Sequence, residues 1–261
     1  MSFDAQHRGA LKFAVIGHPV EHSLSPVMHA ANFRSVGLDA EYDKFDVPPG
    51  ELEGFVRARQ REGYTGLNVT VPHKIAVMSL LDRPDESVVR YGACNTLKFE
   101  RDGSISGWNT DVIGFVSTLA AHGFNLKGRK VFILGRGGAG SALARCAEYE
   151  GAAEVSVYGR NPDSVEVRDA KAREADLVVN ATPVGLKPGD VCPLPVECFH
   201  PGQLVLDIIP TKEFPPMAAA ARAAGATAVD GLEFLVGQGA KSFEIWTGMS
   251  ADRAAMLAAL R

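Results

Sequence analysis

Asn68-Val69-Thr70-Val71-Pro72-His73-Lys74 gathers two short polar side chains and a lysine around a proline. By the two-residue alternation of an extended chain, Asn68 and Thr70 face one side of a strand end. The spacing predicts a helix from about Pro72 to Leu81, with Lys74 in its first turn. A helix dipole disfavours a cation there by about 0.3–1 kcal/mol, so Lys74 reads as a site residue or as a solvated surface charge. Ser23-Leu24-Ser25-Pro26 stands just before another helix. Ser25 reads as its N-cap with Pro26 at the first helical position, which leaves Ser23 unexplained. Two hydroxyls beside a helix N-terminus also suit a carboxylate.

Further small polar residues surround turns at Gly92–Thr96 and Gly107–Asp111. Asp111 serves as an N-cap for the helix it opens, although Gly114 stands where a capping-box Glu or Gln would answer. Gln238 lies between Gly237 and Gly239 in an otherwise apolar helix. Each glycine costs about 1 kcal/mol there relative to alanine, which predicts close backbone approach. Phe234, Gln238 and Ile245 share a face, so Gln238 points inward and needs polar partners.

Leu134-Gly135-Arg136-Gly137-Gly138-Ala139-Gly140 follows an apolar strand and opens a helix. Gly135, Gly137 and Gly140 match GxGxxG in the context that gives the motif meaning. The first glycine allows the tight turn, the second lets backbone approach a pyrophosphate, and the third lets helix pack on strand. The alternative is a flexible glycine turn. NAD-binding versions carry an acidic residue at the end of the second strand. Here that place reads Tyr158-Gly159-Arg160-Asn161. Arg160 fits a 2′-phosphate or, equally, a solvated loop, and no second basic residue stands nearby in the sequence.

The elements that must position these residues alternate from end to end, which argues for an α/β fold. Strands are expected at Lys12–Gly17, Glu41–Val47, Leu67–Val69, Cys94–Phe99 and Ser104–Trp108. A second series runs through Lys130–Leu134, Val155–Tyr158, Leu177–Asn180 and Leu204–Asp207. Helices are expected from Pro26, over Glu51–Glu62, from Asp111 to His122, over Gly138–Glu150, from Pro215, and over Gly231–Trp246 and Asp252–Leu260. Two strand-first series suggest two α/β lobes meeting near residue 111, and a cleft between lobes is a usual ligand place.

Of the 261 residues, 46% are hydrophobic and 22% charged, with 27 basic against 31 acidic side chains. These are ordinary globular values, and the −4 net charge without a basic run argues against nucleic acid as a partner. No apolar stretch approaches the roughly 18 residues of a membrane span. No signal peptide is expected, since Lys12 interrupts the first apolar run. Cys94, Cys146, Cys192 and Cys198 lack zinc or CxxC spacing and read as reduced thiols of a cytoplasmic protein. His18, His22 and His29 lack metal-site geometry, so no metal is expected. No GxSxG elbow supports a serine hydrolase.

Taken together, SLSP at Ser23–Pro26, NVTVPHK at Asn68–Lys74, GACNT at Gly92–Thr96 and NTD at Asn109–Asp111 resemble the shikimate dehydrogenases. So do GRGGAG at Gly135–Gly140, NATPVGL at Asn180–Leu186 and QGAKSFEIWTG at Gln238–Gly248. The resemblance implies an NADP-dependent reversible reduction of 3-dehydroshikimate to shikimate, with NAD disfavoured, in a monomer or homodimer. It implies a substrate-binding lobe over 1–110, completed by 237–261, and a doubly wound Rossmann lobe over 111–236. Ser23 and Ser25 would hold the substrate carboxylate. Asn68, Thr70, Asn95, Asp111 and Gln238 would hold its hydroxyls, with Lys74 and Asp111 as the catalytic pair. Gly135, Gly137, Gly138, Ala139, Arg160, Thr182 and Gly231 would hold the cofactor. The chemistry is coherent, because a ketone reduction needs a proton for the developing alkoxide and a carboxylate nearby favours and aims an ammonium.

Two departures from the family pattern stand out. The usual Asp-x-x-Tyr-x-Pro reads Asp207-Ile208-Ile209-Pro210-Thr211-Lys212, so Pro210 replaces the tyrosine. Only 16 residues separate Arg160 from Leu177, too few for a helix, strand and helix, so the Rossmann lobe reads as trimmed. The alternatives are a quinate/shikimate or aminoshikimate dehydrogenase of the same fold, or a non-catalytic ligand-binding paralogue. Ser25 leans towards shikimate, since quinate-preferring relatives often place threonine there.

Overall fold

In the computed structural model, which describes residues 10–159, 162–187, 189–211 and 213–261, the first apolar run forms β1 (Leu11–Gly17). After it come α1 (Ser25–Val36), β2 (Ala40–Asp46), α2 (Leu52–Arg61) and β3 (Gly66–Val69). Then follow β4 (Arg83–Pro84), α3 (Glu86–Tyr91), β5 (Thr96–Phe99), β6 (Ile105–Trp108) and α4 (Thr110–Ala121). These strands make one mixed sheet in the order β2-β1-β3-β5-β6-β4. Both neighbours of β1 are parallel to it, while β5 runs antiparallel to β3 and β6. Burial follows from that topology: all but one residue of β1 and every residue of β3 are buried, as expected for parallel strands covered on both faces. The β5–β6 connection turns at Gly103, whose φ of 84° needs a glycine, and Asp102 accepts hydrogen bonds from the Ser104 amide and hydroxyl.

The second series forms β7 (Lys130–Leu134), α5 (Gly138–Tyr149), β8 (Glu154–Tyr158), α6 (Val165–Glu174) and β9 (Leu177–Asn180). It continues with β10 (Leu204–Asp207), α7 (Pro216–Ala223), β11 (Thr227–Val229), α8 (Gly231–Thr247) and α9 (Arg253–Ala258). Its sheet is wholly parallel in the order β11-β10-β9-β7-β8. From β7 the chain steps outward to β8, then returns to the other flank of β7 at β9, which is double winding with its switch at β7/β9. The short segment before Leu177 holds α6 alone among the described residues, so β8 stands at the sheet edge. One compact unit runs to Gly114 and resumes over Val236–Arg261, and the other is Phe115–Leu235. Apolar clusters of buried side chains fill the first unit. In one of them Leu11, Phe13, Phe33 and Leu38 pack with Phe243 and Trp246 of α8. No helix among the described residues is long and apolar enough to cross a membrane.

Three local expectations are corrected. The segment after Pro72 is a turn over 71–75 followed by a 3-10 turn, Ala76–Leu80, and not a helix. Its backbone bonds outward, because the Lys74 carbonyl accepts from the Cys94 amide at 2.8 Å. Lys74 therefore does not stand in the first turn of an α-helix. Ser25 is the first residue of α1 and not its cap; Ser23 Oγ accepts from the Ser25 amide at 3.4 Å. Asp111 likewise lies inside the first turn of α4, and Asn109 Oδ1 accepts from the Val112 amide at 3.4 Å in the capping place. The strands at 83–84 and 227–229 and the helix at 86–91 have no counterpart in the sequence reading.

Candidate functional site

The outward backbone bond at Lys74 turns its side chain into use elsewhere: Lys74 Nζ donates to Asp111 Oδ2 at 2.6 Å. The two side chains are 16% and 11% exposed, shielded enough for the pair to hold its geometry. Asp111 Oδ1 accepts from Asn95 Nδ2 at 2.9 Å. The orientation of Asn95 is fixed by chemistry, since its Oδ1 accepts from the Thr110 amide at 2.7 Å and only an oxygen can do so. Gln238 Oε1 lies 3.5 Å from Asn95 Nδ2. Lys74, Asn95, Asp111 and Gln238 thus converge from four separate chain segments. Gly114 has a steric reason at the same place, because a Cβ there would lie 2.7 Å from the Gln238 amide nitrogen. Gly239 is similarly pressed, with Met28 Cε 2.2 Å from its would-be Cβ.

Asn68 is drawn into the framework of the same unit. Its Nδ2 reaches Ser242 Oγ at 3.0 Å and Thr96 Oγ1 at 3.2 Å, and its Oδ1 accepts from Tyr42 Oη at 2.7 Å. Ser25 is buried, and burial pushes the ionisation of the Tyr42 phenol far above its ordinary range. Thr70 follows β3, half-buried, with its amide on the Ile16 carbonyl at 2.8 Å. Thr96, Thr110 and Ser242 form a buried hydroxyl cluster with contacts of 2.8–3.1 Å, and the sequence reading missed all three. A signal was there: Ser242 follows Gln238 by four residues and so shares its helix face.

His29 stacks on Tyr42 at 4.4 Å with an 8° interplanar angle. Neither ring nitrogen has a hydrogen-bond partner, and burial pushes its pKa down to about 3. His18 pairs with Asp46 at 3.0 Å on the surface. No group of three or more His, Cys, Asp or Glu that could hold a metal occurs among the described residues.

In the second unit the glycine loop has the shape a dinucleotide needs. Gly135 has φ of 126°, and a Cβ there would lie 2.5 Å from the Ala181 carbonyl oxygen. A Cβ at Gly140 would lie 2.0 Å from the Gly135 carbonyl oxygen, which makes it the helix-on-strand glycine. Gly137 caps α5, and a side chain at Gly137 or Gly138 would meet nothing within 4 Å. With Ala139 half-buried in the first turn, the helix end offers free amides and open space together, which fits a pyrophosphate. Thr182 is set by Asn180, whose Oδ1 accepts from its amide and its hydroxyl at 3.1 and 2.7 Å. Asn180 Nδ2 in turn donates to Asp207 Oδ2 at 3.0 Å, and burial pushes the Asp207 carboxyl up to about 6. Gly231 opens α8 against Ile209, whose carbonyl oxygen would lie 2.1 Å from a Cβ. Arg160 and Asn161 lie outside the described residues. The expectation of no second basic residue nearby is corrected: Arg136 Nη2 donates to the Val157 carbonyl at 3.3 Å, at the end of β8. Strand pairing in register, Leu134 opposite Tyr158, brings Arg136 beside Gly159.

Comparison with known proteins places the whole chain beside one family. Residues 15–97 match a family described as the shikimate dehydrogenase substrate binding domain, and residues 231–261 match the shikimate 5'-dehydrogenase C-terminal domain. A shikimate dehydrogenase (NADP(+)) of Methanopyrus kandleri is 42% identical over 91% of this chain and 90% of its own. One from Thermus thermophilus is 40% identical over 96% and 98%. The crystal structure of shikimate 5-dehydrogenase from Thermus thermophilus, in complex with NADP(H) and shikimate, has a TM-score of 0.85 at 38% identity. It covers 96% of this chain and 98% of its own. With motifs, fold and near full-length identity in agreement, this chain belongs to the shikimate dehydrogenase family.

Proposed function

We propose that this chain interconverts 3-dehydroshikimate and shikimate with NADP(H), using Lys74 and Asp111 as its acid–base pair. The observation that carries the reading is the 2.6 Å contact between Lys74 Nζ and Asp111 Oδ2, with Asn95 on the other carboxylate oxygen. An ammonium held this way can donate a proton to an alkoxide as it forms, and take it back in the oxidative direction. Asp111 fixes where that ammonium points, and the Asn95 amide fixes Asp111. Gln238, Thr70 and Asn68 bind the substrate hydroxyls, while Ser23 and Ser25 take its carboxylate. NADP, when bound, supplies or accepts the hydride. Gly135, Gly137, Gly138 and Ala139 hold its pyrophosphate at α5, Thr182 and Gly231 line its site, and Arg160 takes the 2′-phosphate.

The four converging site residues belong to one chain, so a second copy is not needed to assemble them, and the protein works as a monomer or homodimer. Four free cysteines suit the reducing cytoplasm. The intact Lys74–Asp111 pair and the open glycine cradle speak against a non-catalytic paralogue. The test follows reduced-nicotinamide absorbance with shikimate or quinate and NADP or NAD, in all four pairings. Turnover greatest with shikimate and NADP is expected. Preference for quinate, or equal use of both cofactors, would replace the reading with a relaxed enzyme of the same fold, and no turnover in any pairing would refute it.

A further inference from the structure

We propose that Arg136, inside the glycine loop, is a second specificity-determining cation that binds the 2′-phosphate of NADP. The inference rests on the NADP reading above and adds to it a residue that the family resemblance does not assign. Three observations carry it. First, position: β7 and β8 pair in parallel with Leu134 opposite Tyr158, and the Gly135 amide extends the pairing to the Tyr158 carbonyl at 2.8 Å. Arg136 then lies across the end of β8, with Cδ 3.5 Å and Nε 3.9 Å from a Cβ built on Gly159. In dinucleotide folds the end of this strand is where the adenosine ribose is read.

Second, chemistry: the residue is exposed, and among the described residues no carboxylate forms an ion pair with it. Its Nη2 donates to the Val157 carbonyl, which leaves most of a five-donor fork to meet phosphate oxygens two at a time. Tyr158 and Gly159 place no acid there to compete. Third, cost: Arg136 immediately precedes Gly137, the cap of α5, where the positive end of the helix dipole opposes a cation. The single bond to the Val157 carbonyl occupies one donor of the guanidinium, and an anion shared between the others and the helix amides offsets that opposition.

Isothermal titration calorimetry of the full chain tests the assignment with NADP, NAD, adenosine 2′,5′-bisphosphate and 5′-AMP. Arg136→Ala should weaken NADP and adenosine 2′,5′-bisphosphate by about ten- to a hundredfold, the worth of a charge-assisted bond. NAD and 5′-AMP should change by less than about twofold, because neither carries the 2′-phosphate. Arg136→Lys should recover part of the affinity, as a point charge without the fork. Should Arg136→Ala lower the melting temperature of the free protein, Arg136→Gln, which keeps a donor for Val157, carries the comparison. Undiminished discrimination in the variants, or an equal loss for all four ligands, overturns the role of Arg136 and leaves the NADP reading standing. A wild-type protein that binds each 2′-phosphate ligand no better than its counterpart overturns the NADP reading, and the proposal with it.

Discussion

The two units prepare for their ligands in opposite ways. In the first, side chains hold one another: Lys74, Asp111, Asn95, Thr110, Thr96, Ser242, Asn68 and Tyr42 form one continuous chain of hydrogen bonds. In the second, the cradle is made by side chains that are missing, with Gly135 and Gly140 needed for close approach and Gly137 and Gly138 facing open space. The first arrangement suits proton transfer, which demands a fixed distance between particular atoms. The second suits a pyrophosphate, which asks only for amides and room.

Removing the acid should separate the two units most sharply. Lys74→Ala is expected to lower kcat by about 10²–10⁴-fold with a smaller change in substrate KM. NADP affinity by calorimetry should stay within about twofold, since the cradle is untouched. Asp111→Asn should change both kcat and KM under the proposed roles, in which the carboxylate binds substrate as well as holding Lys74. A near-normal kcat in Lys74→Ala would make Lys74 a bystander.

Within the cradle, equal substitutions should have unequal effects. Gly140→Ala drives a methyl into the Gly135 carbonyl and should cost about 1–3 kcal/mol of stability, read by chemical denaturation, together with NADP affinity. Gly138→Ala meets nothing and should leave stability within about 0.5 kcal/mol, its effect confined to cofactor binding. Similar stabilities for the two variants would break the picture of a cradle shaped by backbone contact.

The polar framework of the first unit also carries one buried base without a partner. The native His29 pKa is lowered from 6.5 to about 3, so its contribution to stability is complete above pH 6.5 and is lost as pH falls towards 3. Relative to His29→Phe, which keeps an aromatic ring against Tyr42, the wild type should lose up to about 1.4 kcal/mol for each pH step below 6.5. Parallel stability–pH curves for the two proteins would show that His29 is accessible to protons in the native state. The smallest effect is expected at Pro210, half-buried after β10. Pro210→Tyr should lower KM for shikimate several-fold, one hydrogen bond being worth about 0.5–1.5 kcal/mol. An unchanged KM would show that this loop no longer faces the substrate.

Much of this was legible in residue type and spacing. The glycine loop could be read because a strand, a turn and a helix are local, and its steric needs leave a glycine signature. Lys74 stood out as a cation at an unfavourable helix start and Asp111 as a cap without its capping-box partner, and the structure pairs them although the helix assumed for Lys74 is absent. The turn after Pro72 was illegible because the Lys74 carbonyl bonds the Cys94 amide, far along the chain. Arg136 escaped notice for a related reason. Its neighbour at the end of β8 is close only through strand register, which periodicity does not report. Thr96, Thr110 and Ser242 are ordinary small residues, and their value lies in meeting one another.

The seat of Trp246 bears on the order in which the protein can be assembled. Its indole donates to the Leu97 carbonyl at 2.8 Å and fills the gap that Gly66 leaves, where a Cβ would lie 2.2 Å from Nε1. Large side chains packed with Phe13 therefore come from α8, synthesised more than two hundred residues after β1. The middle unit is one continuous stretch, Phe115–Leu235. On the ribosome the usual N-terminal-first order is accordingly expected to reverse. The nucleotide unit is the first that can close, and the earlier-made sheet keeps an uncovered apolar face until the last helices emerge.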